Sequence, residues 1–372
     1  MRNRDTSPKK GKPILLKEKF SNSNAMSFKT WLFRSEAELD SIAFFFISKR
    51  NATNARFLPL FDRTESIRIV YFYGSRIPYT DRFSLLIFRF LYRLSKPRVK
   101  NYKTLHIFSL GMSLQTCHEI LHYDDPLYTH AELSKIQKWF ESLERIGTIG
   151  TIVCTNTYTK TWLRSNDVRS KIWIVEQGYF ETSNQEIVKN RNFSCVYSSP
   201  YIHYGDDKHG KHSTWGAEHL IDVIIPNLIL RCNGIQINLI GEIGKNAKKR
   251  LSQFDNVITH GRVDFRTNQN IMQACHIGIY PRTIDHKRSI LKIFEYIGAG
   301  LPIVTYDLID TEIVKLLGIG ISVKSSVEFV QAICEVSHNT RLLKSFESQV
   351  ETIREQYSWS ELARKMENYL VD

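Results

Sequence analysis

A chain of 372 residues can bury two cores of ordinary size, and 42% hydrophobic with 24% charged residues is the balance of a folded globular protein. Fifty-one Lys and Arg against thirty-eight Asp and Glu leave a formal charge of +13, which favours anionic partners: nucleotide phosphates, anionic lipid headgroups or nucleic acid. No uncharged run reaches the ~18 to 20 residues that span a bilayer, and Met1 to Asn24 is polar and basic, without the apolar core of a secretory signal. The six cysteines, at 117, 154, 195, 232, 275 and 334, form no CxxC pair, and three of them fall in or beside apolar runs. They are expected to be reduced core residues of a cytoplasmic protein.

In chain order, residues 1–26 have the Lys, Ser, Asn and Pro content of a flexible basic tail. Thr30 to Phe33 is a strand candidate, and Glu36 to Lys49 reads as a helix with Leu39, Ile42, Ala43 and Phe46 on one face. Ile67 to Tyr73, IRIVYFY, is a strand. Phe83 to Lys96, FSLLIFRFLYRLSK, is a short apolar helix carrying Arg89 and Arg93. It either packs on the sheet with its arginines reaching water, or lies in the interface of an anionic membrane.

From Lys103 strands and helices alternate: strands at 105–109, 120–123, 151–155 and 172–177, helices at 130–146 and 158–163. After a polar linker at 181–192 the alternation resumes with strands at 195–197, 235–240 and 257–261, helices at 215–230 and 268–275, and a turn at Gly241–Gly244. Helices at 327–336, 341–356 and 357–370 close the chain. Such alternation means parallel sheets with helices on both faces, so the fold class is α/β, doubly wound.

The second set is organised around IGIYPRTIDHKRSILKIFEYIGAGLPIVTYD, residues 277–307. It reads as a strand closed by Pro281, a cationic loop, a helix ended by Gly298 and Gly300, and a new strand after Pro302. Ligands of open parallel sheets bind at the carboxyl ends of strands, against the first turns of the following helices. A phosphate there would meet helix N–H groups with Arg288 or Lys292, and Glu295, one turn on, suits a pair of ribose hydroxyls.

Lys292-Ile-Phe-Glu295-Tyr296, Gly298-Ala-Gly300 and Leu301-Pro-Ile-Val304 resemble the corresponding stretch of the retaining GT-B glycosyltransferases, family four in particular. The resemblance covers residues 100 to 372, most closely 193 to 310. It implies two Rossmann-like domains facing across a cleft: an acceptor-side domain at 27–180, a nucleotide-sugar domain at 193–356, and a helix at 357–372 returning to the first domain. Two positions depart from the family: Lys287 stands where a second Glu is usual, and Trp215-Gly216 where Lys-Gly is usual. Lys208, Lys211 or His212 could supply the missing cation.

On that resemblance Glu295, Arg282, Lys287, Ser289, Arg262, Lys211 and His212 are candidate donor contacts, with Gly241 and Glu242 beside the nucleotide base. Arg288 and Lys292 are the candidates for stabilising the leaving diphosphate. His122-Tyr-Asp124-Asp125 follows a strand end in the first domain: Asp124 or Asp125 could serve the acceptor hydroxyl and His122 the sugar, or the stretch is a turn capping the next helix. No metal site is expected from Asp124-Asp125, from Asp206-Asp207 or from the irregular His203, His209 and His212, and no cofactor beyond the nucleotide-sugar co-substrate. GxSxG, GxxxxGK[ST] and GxGxxG are absent, and no nucleic-acid recognition motif accompanies the charge, so no nucleic acid is expected. The resemblance implies transfer of a hexose-type sugar to a glycan or lipid-linked acceptor in surface polysaccharide or glycoconjugate synthesis, with a peripheral contact at the cytoplasmic face of a membrane. The alternative is a basic binding protein that keeps the fold without turnover, docked on a membrane or on another transferase.

Overall fold

The computed structural model describes residues 25–27, 32, 40–47, 60–61, 64–73, 81–124, 126–181, 188–207 and 216–371. The basic tail up to residue 24 and, apart from Leu32, the strand expected at 30–33 lie outside them. Two compact units result: Met1–His122 with Gln137–Thr151, and Tyr123–Ile136 with Ile152–Asp372.

The first sheet has the order β1-β3-β2-β4-β5-β6-β7. Its strands are β1 (Ala25–Ser27), β2 (Ser41–Ile47), β3 (Ile67–Tyr73), β4 (Thr104–Ile107), β5 (His118–Tyr123), β6 (Gly150–Cys154) and β7 (Lys171–Ile174). Helices α1 (Asp81–Leu94), α2 (Lys96–Val99), α3 (His130–Arg145) and α4 (Thr157–Ser165) belong to the same part of the chain. The helix expected over Glu36–Lys49 is corrected here: Ser41–Ile47 is a strand, paired in parallel with both β3 and β4. The run SIAFFFI is apolar at every position after Ser41, so it carries a helical spacing and a strand spacing at once. Its β-branched and aromatic content, with Ile42 to Phe45 fully buried, suits a central strand covered on both faces.

The second sheet, β10-β9-β8-β11-β12-β13, is parallel throughout. It comprises β8 (Ser194–Ile202), β9 (Gln236–Ile243), β10 (Val257–Gly261), β11 (Ile277–Tyr280), β12 (Ile303–Tyr306) and β13 (Gly320–Val323). Around it lie α5 (Ala217–His219), which runs through a π-helical turn into α6 (Ile225–Arg231), then α7 (Lys245–Leu251), α8 (Phe265–Ala274), α9 (Leu291–Gly298), α10 (Glu312–Leu316), α11 (Ser326–His338), α12 (Thr340–Arg354) and α13 (Trp359–Val371). The edge strand β13 and the short helices α7 and α10 have too few periodic positions to be read from sequence.

The turn expected at Gly241–Gly244 is also corrected: β9 runs on to Ile243. Gly241 sits inside the strand at φ +145°, where a Cβ would lie 1.8 Å from the Ser199 carbonyl oxygen, opposite a register shift between Ser198 and Tyr201. Only glycine fits that approach. A third correction concerns the cysteines, since Cys232 and Cys334 form a disulfide with their Cα atoms 5.6 Å apart, while the other four are buried thiols. The two partners are 102 residues apart in the chain and meet only because the end of α6 and α11 share one core.

The last helix is held by β7 and the segment that follows it. Tyr369 stacks on Trp173 with ring centroids 5.2 Å apart, Lys365 pairs with Glu176 at 2.8 Å, and a Cβ on Gly178 would meet Leu362 and Trp359 at under 3 Å. The chain from Ile152 on, with β7 and α4, belongs to the second compact unit.

Candidate functional site

The stretch 277–310 is fixed in the fold by a tyrosine. Gly278 in β11 has no side chain because the ring of Tyr296 occupies that space; a Cβ would lie 2.6 Å from it. The Tyr296 hydroxyl accepts the Ser198 N–H at 3.2 Å and lies 3.1 Å from the Ile279 carbonyl, to which it donates. Helix α9 is thereby pinned against the middle of β8 and the carboxyl end of β11.

Helix α9 begins at Leu291 with no side-chain cap. On its first turns Lys292 and Glu295 form an ion pair, each side chain less than one fifth exposed, and Lys292 Nζ also donates to Ser198 Oγ at 3.3 Å. An ammonium and a carboxylate are therefore held, partly dehydrated, beside Ser198 midway along β8.

The loop between β11 and α9 is tied from beneath by a residue absent from the sequence expectations. Asp310, buried beyond the end of β12, accepts the backbone N–H of His286 at 2.9 Å and of Arg288 at 2.6 Å. Asp285 accepts the N–H of Lys287 at 2.7 Å with one oxygen and of Ile309 at 2.9 Å with the other. Lys287 itself takes a left-handed backbone at φ +58°, uncommon for a side chain other than Gly, Asn or Asp. Its carbonyl accepts the Tyr128 hydroxyl at 2.5 Å and Asn156 Nδ2 at 3.3 Å, and its ammonium lies 5.2 Å from the centre of the Tyr158 ring. Burial pushes the Asp310 carboxyl up to about 7, with the neighbouring Asp285 carboxylate adding to the rise and the Arg288 N–H and the Arg282 charge opposing it. A loop so bonded holds the Arg288 backbone in one place, beside a hollow that Arg288 lines with Ser289, Asn156, Thr155, Glu176 and Asp310. Only the tertiary fold reveals Asp310, since nothing in its own neighbourhood, Leu308-Ile-Asp-Thr311, distinguishes it from a helix-capping aspartate.

The other expected residues divide. Arg262 and Glu242 come together at the ends of β10 and β9 in a half-exposed ion pair of 3.1 Å, with the Arg262 guanidinium over the Tyr201 ring. Arg282 turns inward: its side chain is 9% exposed, donates to the Tyr280 hydroxyl at 3.2 Å and lies 4.0 Å from Asp310, so it supports the loop from below. Gly216, at φ +86° ahead of α5, approaches the Pro281 carbonyl so closely that a Cβ would lie 2.8 Å from it, which sets the start of that helix against the same loop. Asp207 caps α7 by accepting the N–H groups of Asn246 and Ala247. Asp125, Lys208, His209, Lys211, His212 and Trp215 lie outside the described residues.

At the end of β5 the polar residues go to the interior. His122 is 5% exposed, bonds His106 across 3.0 Å and is packed by the rings of Phe61 and Phe108, which leaves no face for a sugar; burial lowers its pKa to about 3. Asp124 is buried too and accepts a hydrogen bond from Gln177 Nε2.

These two doubly wound sheets, with a cationic loop and a Lys–Glu pair at the strand ends of the second, make the fold that of the GT-B glycosyltransferases. Residues 209–339 match the family model of glycosyl transferases group 1. Among solved structures, Anabaena HepE in complex with UDP and glucose has a TM-score of 0.61 at 12% identity, over 89% of this chain and 99% of its own. A glycosyltransferase from Rickettsia africae gives 0.63 at 13%, over 90% and 98%, and WaaG, a glycosyltransferase involved in lipopolysaccharide biosynthesis, gives 0.57 at 11%, over 88% and 98%. No curated protein matches the chain. Among the described residues no helix is long and apolar enough to cross a membrane.

Proposed function

We propose that this protein moves a hexose-type sugar from a nucleoside-diphosphate sugar to a hydroxyl of a glycan or lipid-linked acceptor, with retention at the anomeric carbon and without a metal ion or other cofactor. The carrying observation is the half-dehydrated Lys292–Glu295 pair beside the Arg288 loop. On this reading the donor's diphosphate takes Lys292 from Glu295, and the freed carboxylate accepts hydroxyls of the donor. As the bond from the sugar carbon to the phosphate oxygen breaks, negative charge builds on the diphosphate, and Arg288 with Lys292 stabilises it more than in the ground state. The acceptor oxygen forms its bond on the side the phosphate leaves, and its proton passes to that phosphate. No protein nucleophile is used. A UDP-bound neighbour makes a uridine donor the first to test. The reaction would serve surface polysaccharide or glycoconjugate synthesis at the cytoplasmic side of a membrane.

The experiment is a thermal-shift panel of the purified chain with UDP, GDP, ADP, CMP and their sugar conjugates in EDTA, since a ligand that binds the native state raises its apparent stability. A selective rise with one nucleoside diphosphate is expected. A folded protein that responds to none of them would overturn the reading in favour of a fold kept without turnover.

A further inference from the structure

Helix α1 buries one side and exposes apolar residues on the other. Inward it sends Tyr92, 3% exposed, whose hydroxyl donates to the Met112 carbonyl at 2.6 Å and whose ring meets Phe44 edge-on at 5.0 Å. Ser95 and, in α2, Val99 continue that buried side. Outward it exposes Leu86 by 61%, Phe90 by 64% and Leu94 by 57%, with Ile87 beside them. At 3.6 residues per turn these four fall on an arc of roughly 100°. Arg89 and Arg93 are exposed along one edge of that arc, and Lys96 and Lys100 follow in and after α2.

The sequence around α1 carries one sign of charge, and the fold brings Asp40 against Lys103 at 3.1 Å. From Arg82 to His118 the chain has no Asp or Glu, while Arg82, Arg89, Arg93, Lys96, Arg98, Lys100 and Lys103 all lie within it. Exposed leucines and phenylalanine bordered by cations match the acyl chains and phosphates of an anionic bilayer surface. A second copy of the chain would bring the same cations face to face, and like charges oppose that pairing.

We propose that α1 lies in the surface of an anionic membrane, with Leu86, Phe90 and Leu94 among the acyl chains and Arg89, Arg93 and Lys96 at the lipid phosphates. This inference stands apart from the donor site and holds whichever nucleotide the second unit takes. The test is co-sedimentation of the full chain with vesicles of phosphatidylcholine alone or with about a third phosphatidylglycerol, the anionic ones repeated in high salt because surface charge is screened there. Binding to the anionic vesicles only, weakened by salt, is expected. Leu86→Ser with Phe90→Ser should lower the vesicle partition by about tenfold or more, because two large apolar side chains no longer enter the acyl region. Arg89→Gln with Arg93→Gln should lower it severalfold on the same anionic vesicles. Both variants alter exposed side chains and should keep the parent melting temperature. Three results would overturn the proposal: no sedimentation with anionic vesicles, serine variants that bind like the parent, or a lipid-free dimer in light scattering that the serine variants dissociate.

Discussion

Two strand ends in this molecule carry comparable polar sequences and use them in opposite ways. Beyond β11, His286, Lys287 and Arg288 donate their backbone N–H groups to the carboxylates of Asp310 and Asp285, and the Arg288 side chain lines an open hollow. At the end of β5, His122 and Asp124 are turned into the protein, one among Phe61, Phe108 and His106, the other against Gln177. A polar residue after a strand becomes available to a ligand when the fold ties down its backbone from below. Where rings and amides close over the side chain itself, the same residue becomes core.

That difference can be broken experimentally, and the largest effect is expected at Arg288. Arg288→Ala should lower kcat by about a hundredfold to a thousandfold while leaving the melting temperature near that of the parent, as removal of one preorganised charge-stabilising group does elsewhere. A kcat within threefold of the parent would remove Arg288 from the chemistry. Next comes Glu295→Ala, expected to weaken donor binding by about tenfold to a hundredfold, the range for a lost hydrogen bond to a charged group. Titration calorimetry with the donor found by the thermal-shift panel measures it, and unchanged affinity in a folded variant would refute the assignment.

Asp310→Ala leaves the N–H groups of His286 and Arg288 without their acceptor and should cost about 2 to 3 kcal/mol of stability, with a fall in kcat because the Arg288 backbone is released. Denaturant unfolding and steady-state kinetics read the two effects separately; full kcat in the variant would show that the loop holds without Asp310. His122→Phe, at the other strand end, should leave kcat and KM where they were, since the ring is buried against His106, Phe61 and Phe108. A loss of activity at unchanged stability would return His122 to the site.

The two ends should also differ in the sign of their response to pH. Asp310 rises to about 7 in the folded chain from an ordinary value of 3.8, so between about 4 and 7 the native state binds more protons than the unfolded chain, and its contribution to stability falls as pH rises. His122 drops to about 3 from 6.5, so between about 3 and 6.5 the unfolded chain binds more protons and stability is lost as pH falls. Melting temperatures across that range should tilt one way for Asp310→Asn relative to the parent and the opposite way for His122→Phe. Two variants with parallel profiles would show that these groups do not set the slopes.

Much of the second unit was legible in the residues themselves. Ile277–Tyr280 was read to the residue, and the strand after Pro302 began where expected, because glycine and proline punctuate short apolar runs that can only be buried strands. Residues 41–47 were not legible, since a continuous apolar run satisfies both periods and only the flanking strands β3 and β4 choose between them. Lys292 and Glu295 could be singled out from a helical repeat, but Asp310 could not, because its function comes from a loop more than twenty residues earlier in the chain.

Local sequence carries the alternation of strands and helices, the placing of a cationic loop at a strand end and the basic, apolar character of α1. These follow from periodicity and local turn chemistry, which act over a few residues. The tertiary structure alone decided that His122 is core, that Arg282 points inward, that Cys232 meets Cys334 and that Asp310 holds the Arg288 loop. Each of those depends on a partner distant in the chain, from 16 residues for His106 with His122 to 102 for the disulfide. Such partners are chosen by packing, and no local pattern encodes it.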